Sequence, residues 1–480
     1  MTELNSVSGL GASAELVTPP VDPPPDVGAA RVPWATFAVC AVSSYIATLD
    51  MSIVNVAFPE IARSFPDVSR GSISWVVTAY SIMFGSLLVV SGRMADRVGR
   101  KRMLQTGLGA FAVGSVLCAM SPGLGMLVFG RAVQGVGGAL MMPASLGLLL
   151  ASFPESRRSQ AMAWVGAAGA LGVASGPTLG ALLVSAFGWR SAFWVNVPVC
   201  AALVVVAART VREPARSATP RPDAAAAVLI TLAVGSLVWG ISRAEEHGWR
   251  NTTVLGLLVV SATLVAGVVW RTLRHPVPLL PPSLFSDRTF RVANVATFVF
   301  GAAFAANILN NVLFLRSIWS YSVVRAGLFS VLAPVVVAIT SIIAGRVMST
   351  VGFRTLLVAG QLVFAAVAVG QATLLDVGPA PWTRWLPLML VLGISIGFTF
   401  PVLTASAVST LAPAHFALGG AVNNTSRQVG SAVGVALVVT MQSAAPGIDG
   451  YRAGWFLVAG CGLLAAAVSV AQPRVTPEAR

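Results

Sequence analysis

The sequence predicts an all-α polytopic membrane protein, and three observations support this fold class. Of its 480 residues, 56% are hydrophobic and only 10% are charged, and the mean hydropathy is +0.81. Soluble domains carry about 25% charged residues, so this composition excludes a soluble multidomain enzyme and a disordered chain. Fourteen apolar stretches are long enough to cross a bilayer, and the basic residues between them are unevenly distributed.

Each apolar stretch is predicted to form one transmembrane helix, because a span needs about 20 apolar residues. Many glycines and alanines in these stretches allow helices to pack closely in lipid. The stretches cover approximately residues 34–58, 74–92, 103–121, 124–150, 160–186, 191–209, 224–242, 252–271, 292–315, 323–345, 354–376, 386–411, 417–442 and 453–472.

The distribution of basic residues predicts that both termini are cytoplasmic. With the N-terminus inside, 20 of the 31 Lys and Arg residues fall in inner loops and tails and nine in outer loops, while Arg131 and Arg427 lie within spans. Cytoplasmic loops carry the excess of positive charge in membrane proteins. The formal charge of +14 is therefore a topology signal, and we expect no nucleic-acid partner.

A short internal repeat predicts two related halves. Gly92-Arg93 is followed seven residues later by Gly99, and Gly345-Arg346 is followed at the same spacing by Gly352. Each copy follows the second helix of a set of six, and such duplicated halves are a transporter architecture. We therefore expect the following domains: a disordered cytoplasmic tail (1–33), an N-terminal six-helix bundle (34–210), two inserted helices with linkers (211–291), a C-terminal six-helix bundle (292–472) and a cytoplasmic tail (473–480).

Asp50 and Arg131 are the first candidate functional residues, because a charge at the membrane centre costs about 2.5–3.5 kcal/mol on insertion scales. Asp50 is the one acid well inside a span. It lies about 13 Å from the outer end of its helix, and Arg131 lies about 12 Å from the outer end of the fourth helix. At the same depth they can interact, either for proton exchange or as a structural ion pair.

The first helix also carries a polar stripe, formed by Ser44, Thr48, Ser52 and Asn55, nearly opposite Asp50. Either one face packs and the other lines a cavity, or both line polar interfaces between helices. The four cysteines are separate and the three histidines lie in loops, so neither a metal site nor a disulfide framework is indicated. The chain has no phosphate-binding G-x-x-x-x-G-K-[ST] loop, so ATP is not expected as the direct fuel.

Several motifs, in the expected order, resemble those of the major facilitator superfamily, and in particular its 14-helix drug:proton antiporters. The matching segments are Leu49-Asp50-Met-Ser-Ile-Val-Asn55 in the first helix, Gly92-Arg-Met-Ala-Asp96-Arg97-Val-Gly99-Arg100-Lys101 (motif A), Leu127-x3-Arg131-x2-Gln134-Gly135 (motif B), Gly172-x3-Gly176-Pro177-x2-Gly180 (motif C), Asn196-Val-Pro198 and Arg427-Gln428-Val-Gly430. The resemblance covers residues 34–472 and implies two six-helix bundles with two inserted helices.

The resemblance implies a conformational latch at motif A, formed by Gly92, Asp96, Arg97, Gly99, Arg100 and Lys101. Asp96 and the start of the helix near Ala417 are expected on the same side, and a helix N-terminus attracts anions. The second copy of the repeat has Ser349 in place of Asp96, so such a latch is one-sided. A purely basic topogenic loop would explain the arginines and leave Asp96 and the glycines unexplained.

Motif C implies close helix packing through Gly172, Gly176 and Gly180, with Pro177 able to kink the helix. Its antiporter role would be to seal the two halves, and its structural alternative is ordinary small-residue packing. The candidate substrate cavity comprises Asn55, Tyr80, Gln134, Asn307, Asn311, Asn423, Arg427 and Gln428, although each amide can equally serve helix–helix hydrogen bonding. Some family members that export organic cations carry acids near Asn423, Asn424 and Gln428, whereas this stretch contains Arg427 and no acid. The resemblance therefore favours neutral, amphipathic or anionic substrates over dications.

The resemblance implies a proton-driven exporter of small hydrophobic or amphipathic compounds, such as drugs or antibiotics, that works by alternating access in a bacterial cell membrane. Asp50 would exchange protons, and Arg131 would tune the proton affinity of Asp50. We expect no enzyme activity and no cofactor, and we expect the proton gradient to be the energy source. The expected partners are lipid, protons and a small-molecule substrate, and the chain is expected to function as a monomer. The alternatives are an importer or symporter of the same fold, a dedicated exporter of an endogenous metabolite or lipid, and a polytopic membrane enzyme.

Overall fold

In the computed structural model, the described residues are 34–68, 70–213, 223–275, 278–412, 415–445 and 447–473. The predicted N-terminal tail and residues 474–480 lie outside this part of the chain, as do a few side chains within helices, including that of Pro177.

Sixteen α-helices form the described structure, and several begin where a polar side chain caps the first turn. Asp223 accepts from Ala225 N and Ala226 N, and Asp287 accepts from Phe290 N. The helices are α1 (Trp34–Ser64), α2 (Arg70–Val98), α3 (Arg100–Ala119), α4 (Leu124–Ser152), α5 (Glu155–Phe187), α6 (Ser191–Trp194), α7 (Asn196–Thr210), α8 (Ala224–His247), α9 (Thr252–Arg274), α10 (Pro282–Ser286), α11 (Arg288–Ser317), α12 (Val323–Val351), α13 (Phe353–Leu374), α14 (Leu386–Val408), α15 (Phe416–Ala444) and α16 (Ile448–Val470), with a π-helical turn at Pro381–Trp385 before α14.

Each of the fourteen predicted stretches coincides with a helix, and α6 and α7 together form the sixth. In the described part of the chain, twelve helical segments are long and apolar enough to span a membrane, and α5 is a thirteenth if its two bent parts form one span. The all-α membrane fold is thus confirmed. α15 is not among these segments, because the polar run 423–428 at its centre lowers its mean hydropathy.

Two helical groups pack against each other, α1–α7 and α11–α16. The contacts between them are made by α2 with α15, α5 with α12, α4 with α15 and α5 with α14. The inserted hairpin α8–α9 packs through α8 against both α2 and α15. We call the side at which α1 begins, α2 ends and α15 begins the terminus side, and the other the opposite side.

The motif C glycines bring α5 onto α1 of the same group. A Cβ added at Gly172 would lie 2.5 Å from Tyr45 O, and one added at Gly180 would lie 3.3 Å from Val56 Cβ. Thr48 Oγ1 donates to Gly169 O at 2.8 Å across this contact. The glycines of motif C therefore set the distance between α1 and α5. They do not lie between the two halves, where the expected antiporter role would place them. The contact of α5 with the second half is made with α12 and α14.

α5 bends where motif C predicts a kink: its parts Gln160–Val173 and Thr178–Phe187 meet at 43°. The backbone donor missing at Pro177 is the expected cause of such a bend. On α1, Ser52 Oγ donates to Val173 O at 3.2 Å, whereas Asp50 is fully buried on another face. Both faces of α1 thus line polar interfaces between helices, which was the second of the two alternatives.

The α1–α5 contact predicts different tolerance for two glycine substitutions. We expect Gly172→Ala to destabilise the protein by about 1–3 kcal/mol, because the added methyl group has no room against the α1 backbone. Gly180→Ala is the matched control and should be nearly neutral, since its methyl group meets a side chain at close to ordinary contact distance. Thermal unfolding of both purified variants in detergent measures the difference, and equal Tm values would contradict the packing assignment.

Candidate functional site

Asp50 lies in a fully buried hydrogen-bond network. Its Oδ2 accepts from Arg131 Nη1 at 2.6 Å, and its Oδ1 accepts from Asn196 Nδ2 at 2.7 Å and from Gln134 Nε2 at 3.2 Å. Neither Asp50 nor Arg131 is more than 1% exposed. Three donors around one carboxylate satisfy the ionised form, as a buried charge requires. The predicted pairing of Asp50 and Arg131 is present in the structure.

Arg131 is held by contacts from several helices. Its Nε donates to Val76 O of α2 at 2.9 Å, and its guanidinium carbon lies 4.4 Å from the ring centroid of Tyr80. Gln134, one turn further along α4, accepts from Arg131 Nη1 at 2.9 Å and donates to Ser115 Oγ of α3 at 2.7 Å. The network therefore connects α1, α2, α3, α4 and α7 through one ion pair.

Two polar atoms in this network have no hydrogen-bond partner among the described residues, Tyr80 OH and Asn196 Oδ1. An unpaired buried oxygen is costly, and it leaves acceptor capacity beside Asp50. Asn196 was part of the family resemblance but was not predicted as a site residue. Its signal was available, because an amide inside an apolar stretch usually faces the bundle interior.

Motif A joins the two halves on the terminus side. Asp96 Oδ2 accepts from Leu418 N, in the first turn of α15, at 3.2 Å, and Asp96 Oδ1 accepts from Arg100 Nη2 at 2.8 Å. A Cβ added at Gly92 would lie 2.8 Å from Ala417 O, so only glycine allows α2 to approach this closely. The acid and the helix N-terminus expected near each other are thus in direct contact.

The rest of motif A contacts neighbouring segments of the first half. Arg100 Nη1 donates to Gly147 O of α4 at 2.9 Å. Gly99, at φ +119°, ends α2, and the carboxylate of Glu213 accepts from Lys101 N at 3.2 Å at the start of α3. Arg97 is partly exposed in the last turn of α2. Glu213 was not predicted, because a lone acid in a loop carries no sequence signal for capping a helix distant in sequence.

Further contacts join the first half to the start of α15 on the terminus side. The guanidinium carbon of Arg158 lies 5.1 Å from the ring centroid of Phe416, and a Cβ added at Gly147 would lie 3.1 Å from Ala417 Cβ. Burial and the nearby Arg93 guanidinium lower the pKa of His415 below its usual range. This imidazole, at the start of α15, therefore stays neutral near neutral pH and adds no positive charge to the helix N-terminus.

The second half holds an uncharged network at the corresponding helices. Asn307 Nδ2 donates to Gln371 Oε1 at 2.7 Å, Gln371 Nε2 donates to Asn311 Oδ1 at 3.2 Å, and Trp455 Nε1 donates to Asn311 Oδ1 at 2.8 Å. These groups come from α11, α13 and α16. Asn307 and Asn311 were predicted to line the cavity, but both are buried and serve hydrogen bonds between helices.

The remaining cavity candidates divide into two groups. Tyr80, Gln134 and Asn423 are buried, the last with its Nδ2 donating to Thr297 Oγ1 at 2.8 Å. These three side chains therefore do not face open space in this conformation. The candidates with exposed surface are Asn55 on α1 and Arg427 and Gln428 on α15. A shallow pocket of about 590 Å³ at the ends of α5 and α6 shares no residue with either group.

Comparisons with known proteins agree with this architecture. Residues 40–435 match the family model described as Major Facilitator Superfamily. The methylenomycin A resistance protein of Bacillus subtilis (strain 168) is 34% identical over 412 residues, covering 83% of this chain and 85% of the relative. A protein of the same name from Streptomyces coelicolor is 31% identical over 441 residues, covering 92% of each chain.

The tetracenomycin C resistance and export protein of Streptomyces glaucescens is 29% identical over 421 residues, covering 86% of this chain and 77% of the relative. Among solved structures, the human organic anion transporter MFSD10 (TETRAN) matches with a TM-score of 0.64 at 14% identity, covering 93% of this chain and 100% of that one. This last likeness concerns the fold alone. The chain belongs to the major facilitator superfamily, and it is a polytopic membrane transporter and not an enzyme.

Proposed function

We propose that this chain is a proton-driven exporter of small hydrophobic or amphipathic compounds, including antibiotics, in the cell membrane. The observation that carries the proposal is the fully buried Asp50, paired with Arg131 inside the first half. The relatives named for resistance and export support the direction of transport. Both termini are cytoplasmic in this proposal, the chain acts as a monomer, and the proton gradient supplies the energy without a cofactor.

In the proposed mechanism, the hydrogen-bond network around Asp50 accommodates both the ionised and the protonated carboxyl group. In the ionised state, three donors satisfy the carboxylate. On protonation, Asp50 becomes a donor, and a half-turn of the Asn196 side chain would present its unpaired Oδ1 as the acceptor. Arg131 then loses its counter-charge, so protonation changes the electrostatic balance among five helices at once. That change is the proposed link between proton binding and helix movement.

The proposed cycle starts from the state described, in which the terminus side is closed by α2, α4 and α15. Opening this side to the cytoplasm separates Asp96 from Leu418 N. A carboxylate at a helix N-terminus contributes up to about 2 kcal/mol where it is shielded from solvent, as Asp96 is, which is small enough for reversible opening. Alternating access then follows from the two halves separating at one side while closing at the other.

A second candidate is an exporter dedicated to a single compound. The observation that favours it is that several relatives are named for one antibiotic, such as methylenomycin A or tetracenomycin C. The mechanism would be the same, and a panel of compounds separates the two. A dedicated exporter responds to one scaffold, whereas a multidrug exporter responds to many.

We predict that Asp50→Asn abolishes substrate-evoked proton movement. The substitution keeps the size of the side chain and removes its titration. The protein is reconstituted in liposomes with an imposed proton gradient, and proton movement is recorded on adding each compound of an amphipathic panel. Glu60→Gln is the matched control, because Glu60 is partly exposed on the same helix and pairs with Arg63. It should behave as the wild type.

Two results would contradict proton coupling through Asp50. One is normal proton movement in Asp50→Asn, which would leave Asp50 as a structural charge. The other is transport by the wild type without any proton movement. Binding of the compounds to Asp50→Asn, measured separately, shows that loss of proton flux is not loss of folding.

We predict that Asp96→Asn shifts the protein toward opening of the terminus side. Removing the charge of this buried side chain weakens the interaction with the α15 N-terminus by about 1–2 kcal/mol, so the population of the open form should rise about five- to thirtyfold. Spin labels at the exposed positions Arg102 and Thr350, one in each half, report the separation by pulsed electron paramagnetic resonance. The label pair is introduced after replacement of the native cysteines.

Ser349→Ala provides the matched control, since Ser349 occupies the place of Asp96 in the repeat. Its side chain is exposed and its Oγ donates to Arg346 O at 3.4 Å within its own helix. The control should leave the distance distribution unchanged. An unchanged distribution in Asp96→Asn would rule out the latch, whatever the effect on transport.

A further inference from the structure

Arg427 is a cation within the apolar length of α15. It lies eleven residues into α15, about 17 Å from the start of that helix and therefore near its centre. Arg131, the other such cation, is paired with Asp50. Among the described residues, no carboxylate forms a salt bridge with Arg427, whose hydrogen bonds go to the neutral Asn424. An uncompensated charge at this depth is costly and usually functional.

The backbone at Arg427 is fixed by close packing of α15 on α11. A Cβ added at Gly301 would lie 2.8 Å from Arg427 O, and Gly430, one turn further along α15, abuts Phe298 O. Neither contact tolerates a larger residue without a shift. The direction in which the Arg427 side chain leaves the helix is thus determined by the fold.

Only some of the N–H donors of the Arg427 guanidinium form hydrogen bonds to described residues. Its Nε and Nη2 donate to Asn424 Oδ1 at 3.2 and 2.6 Å, while Nη1 makes no hydrogen bond to a described residue. The side chain is partly exposed, as are Asn424 and Gln428 beside it. The guanidinium therefore retains N–H donors that a ligand can reach, in the planar arrangement that matches a carboxylate.

An aromatic surface lies next to these donors. The Arg427 guanidinium carbon is 5.6 Å from the ring centroid of Phe400, which packs edge-on against Phe304 at 4.9 Å and Phe300 at 5.1 Å. Phe304 and Phe400 are partly exposed, whereas Phe300 is buried. A flat apolar group can pack on these rings while a charged group on the same molecule meets the guanidinium.

We propose that Arg427, Asn424, Phe304 and Phe400 form a binding site for amphipathic aromatic carboxylates. The inference rests on the proposed export function and names the substrate class of the same transporter. A carboxylate supplies the counter-charge that none of the described residues provides, whereas an organic cation is repelled. A neutral analogue gains the aromatic contact without the charge-assisted hydrogen bonds.

Anion export has a consequence for energy coupling. Outward movement of a monoanion in exchange for one inward proton transfers two charges per cycle, both in the direction favoured by an inside-negative membrane potential. Exchange of a neutral compound for one proton transfers one charge. The membrane potential therefore contributes twice as much to the export of the anion as to the export of a neutral compound.

Binding of three isosteric probes tests the site on the purified full chain at neutral pH. The probes are 2-naphthoate, its neutral methyl ester and 2-naphthylmethylammonium, measured by equilibrium dialysis against a detergent blank. The wild type should bind the carboxylate about tenfold tighter than the ester, as expected for charge-assisted hydrogen bonds. It should bind the ammonium more weakly than the ester.

Two variants remove the charge preference in different ways. Arg427→Gln deletes the cation. Asn424→Asp keeps Arg427 and its packing but places a carboxylate where Asn424 Oδ1 now accepts, which neutralises the guanidinium in place. Both should bind 2-naphthoate and the ester with affinities within about twofold, and unchanged ester binding shows that they are folded. Arg316→Gln, an exposed arginine at the end of α11, is the matched control and should keep the preference.

The outcomes separate this inference from the proposed function. Equal affinities in the wild type, undetectable 2-naphthoate binding at millimolar concentration, or a preference that persists in both variants would overturn the anion site. Proton coupling through Asp50 could still hold in each of these cases. Conversely, a preference that depends on Arg427 in a protein without substrate-evoked proton movement would support the site and contradict antiport.

Discussion

The buried ion pair of Asp50 and Arg131 is the constraint on which the first half of the structure depends. Removing one partner of such a pair costs about 3–5 kcal/mol, because the other charge is left uncompensated. The pair is therefore surrounded by amide donors from Gln134 and Asn196 and by a backbone carbonyl from α2. Three helices supply the carboxylate and its donors, and five must keep their relative positions to complete the network. Under the proposed function, a change in the protonation of Asp50 therefore acts on all five together.

The two halves share an arrangement of helices but differ in charge. Where the first half has an acid and an arginine, the second has amides on α11 and α13 joined to Trp455. A neutral network holds helices together without titrating near neutral pH. Under the proposed function, proton exchange is therefore confined to the first half. Arg427 of the second half lies outside this neutral network, and the role proposed for it is the recognition of a ligand.

Much of this organisation was predictable from the sequence, and the remainder depends on helix rotation. Asp50 and Arg131 were identified because charges within apolar stretches are rare, and Asp96 because its segment resembles motif A of the family. By contrast, Asn307 and Asn311 were placed in the cavity and lie inside the bundle. Hydropathy locates a polar group along a helix, whereas the face it occupies is decided by packing, as the glycine strip of α5 on α1 illustrates.

The magnitudes indicate which of the two acids governs the conformational cycle under the proposed mechanism. The contact of Asp96 with α15 contributes up to about 2 kcal/mol, and the repeat offers no second acid, because its counterpart is the exposed Ser349. Loss of the counter-charge of Arg131 costs about 3–5 kcal/mol. The free-energy change on protonation of Asp50 is therefore large enough to break the contact of Asp96 with α15. That contact is too weak to break the ion pair of Asp50 and Arg131. Asp96 then sets the relative populations of the conformations with the terminus side closed and open. The protonation of Asp50 determines when the order of these populations is reversed.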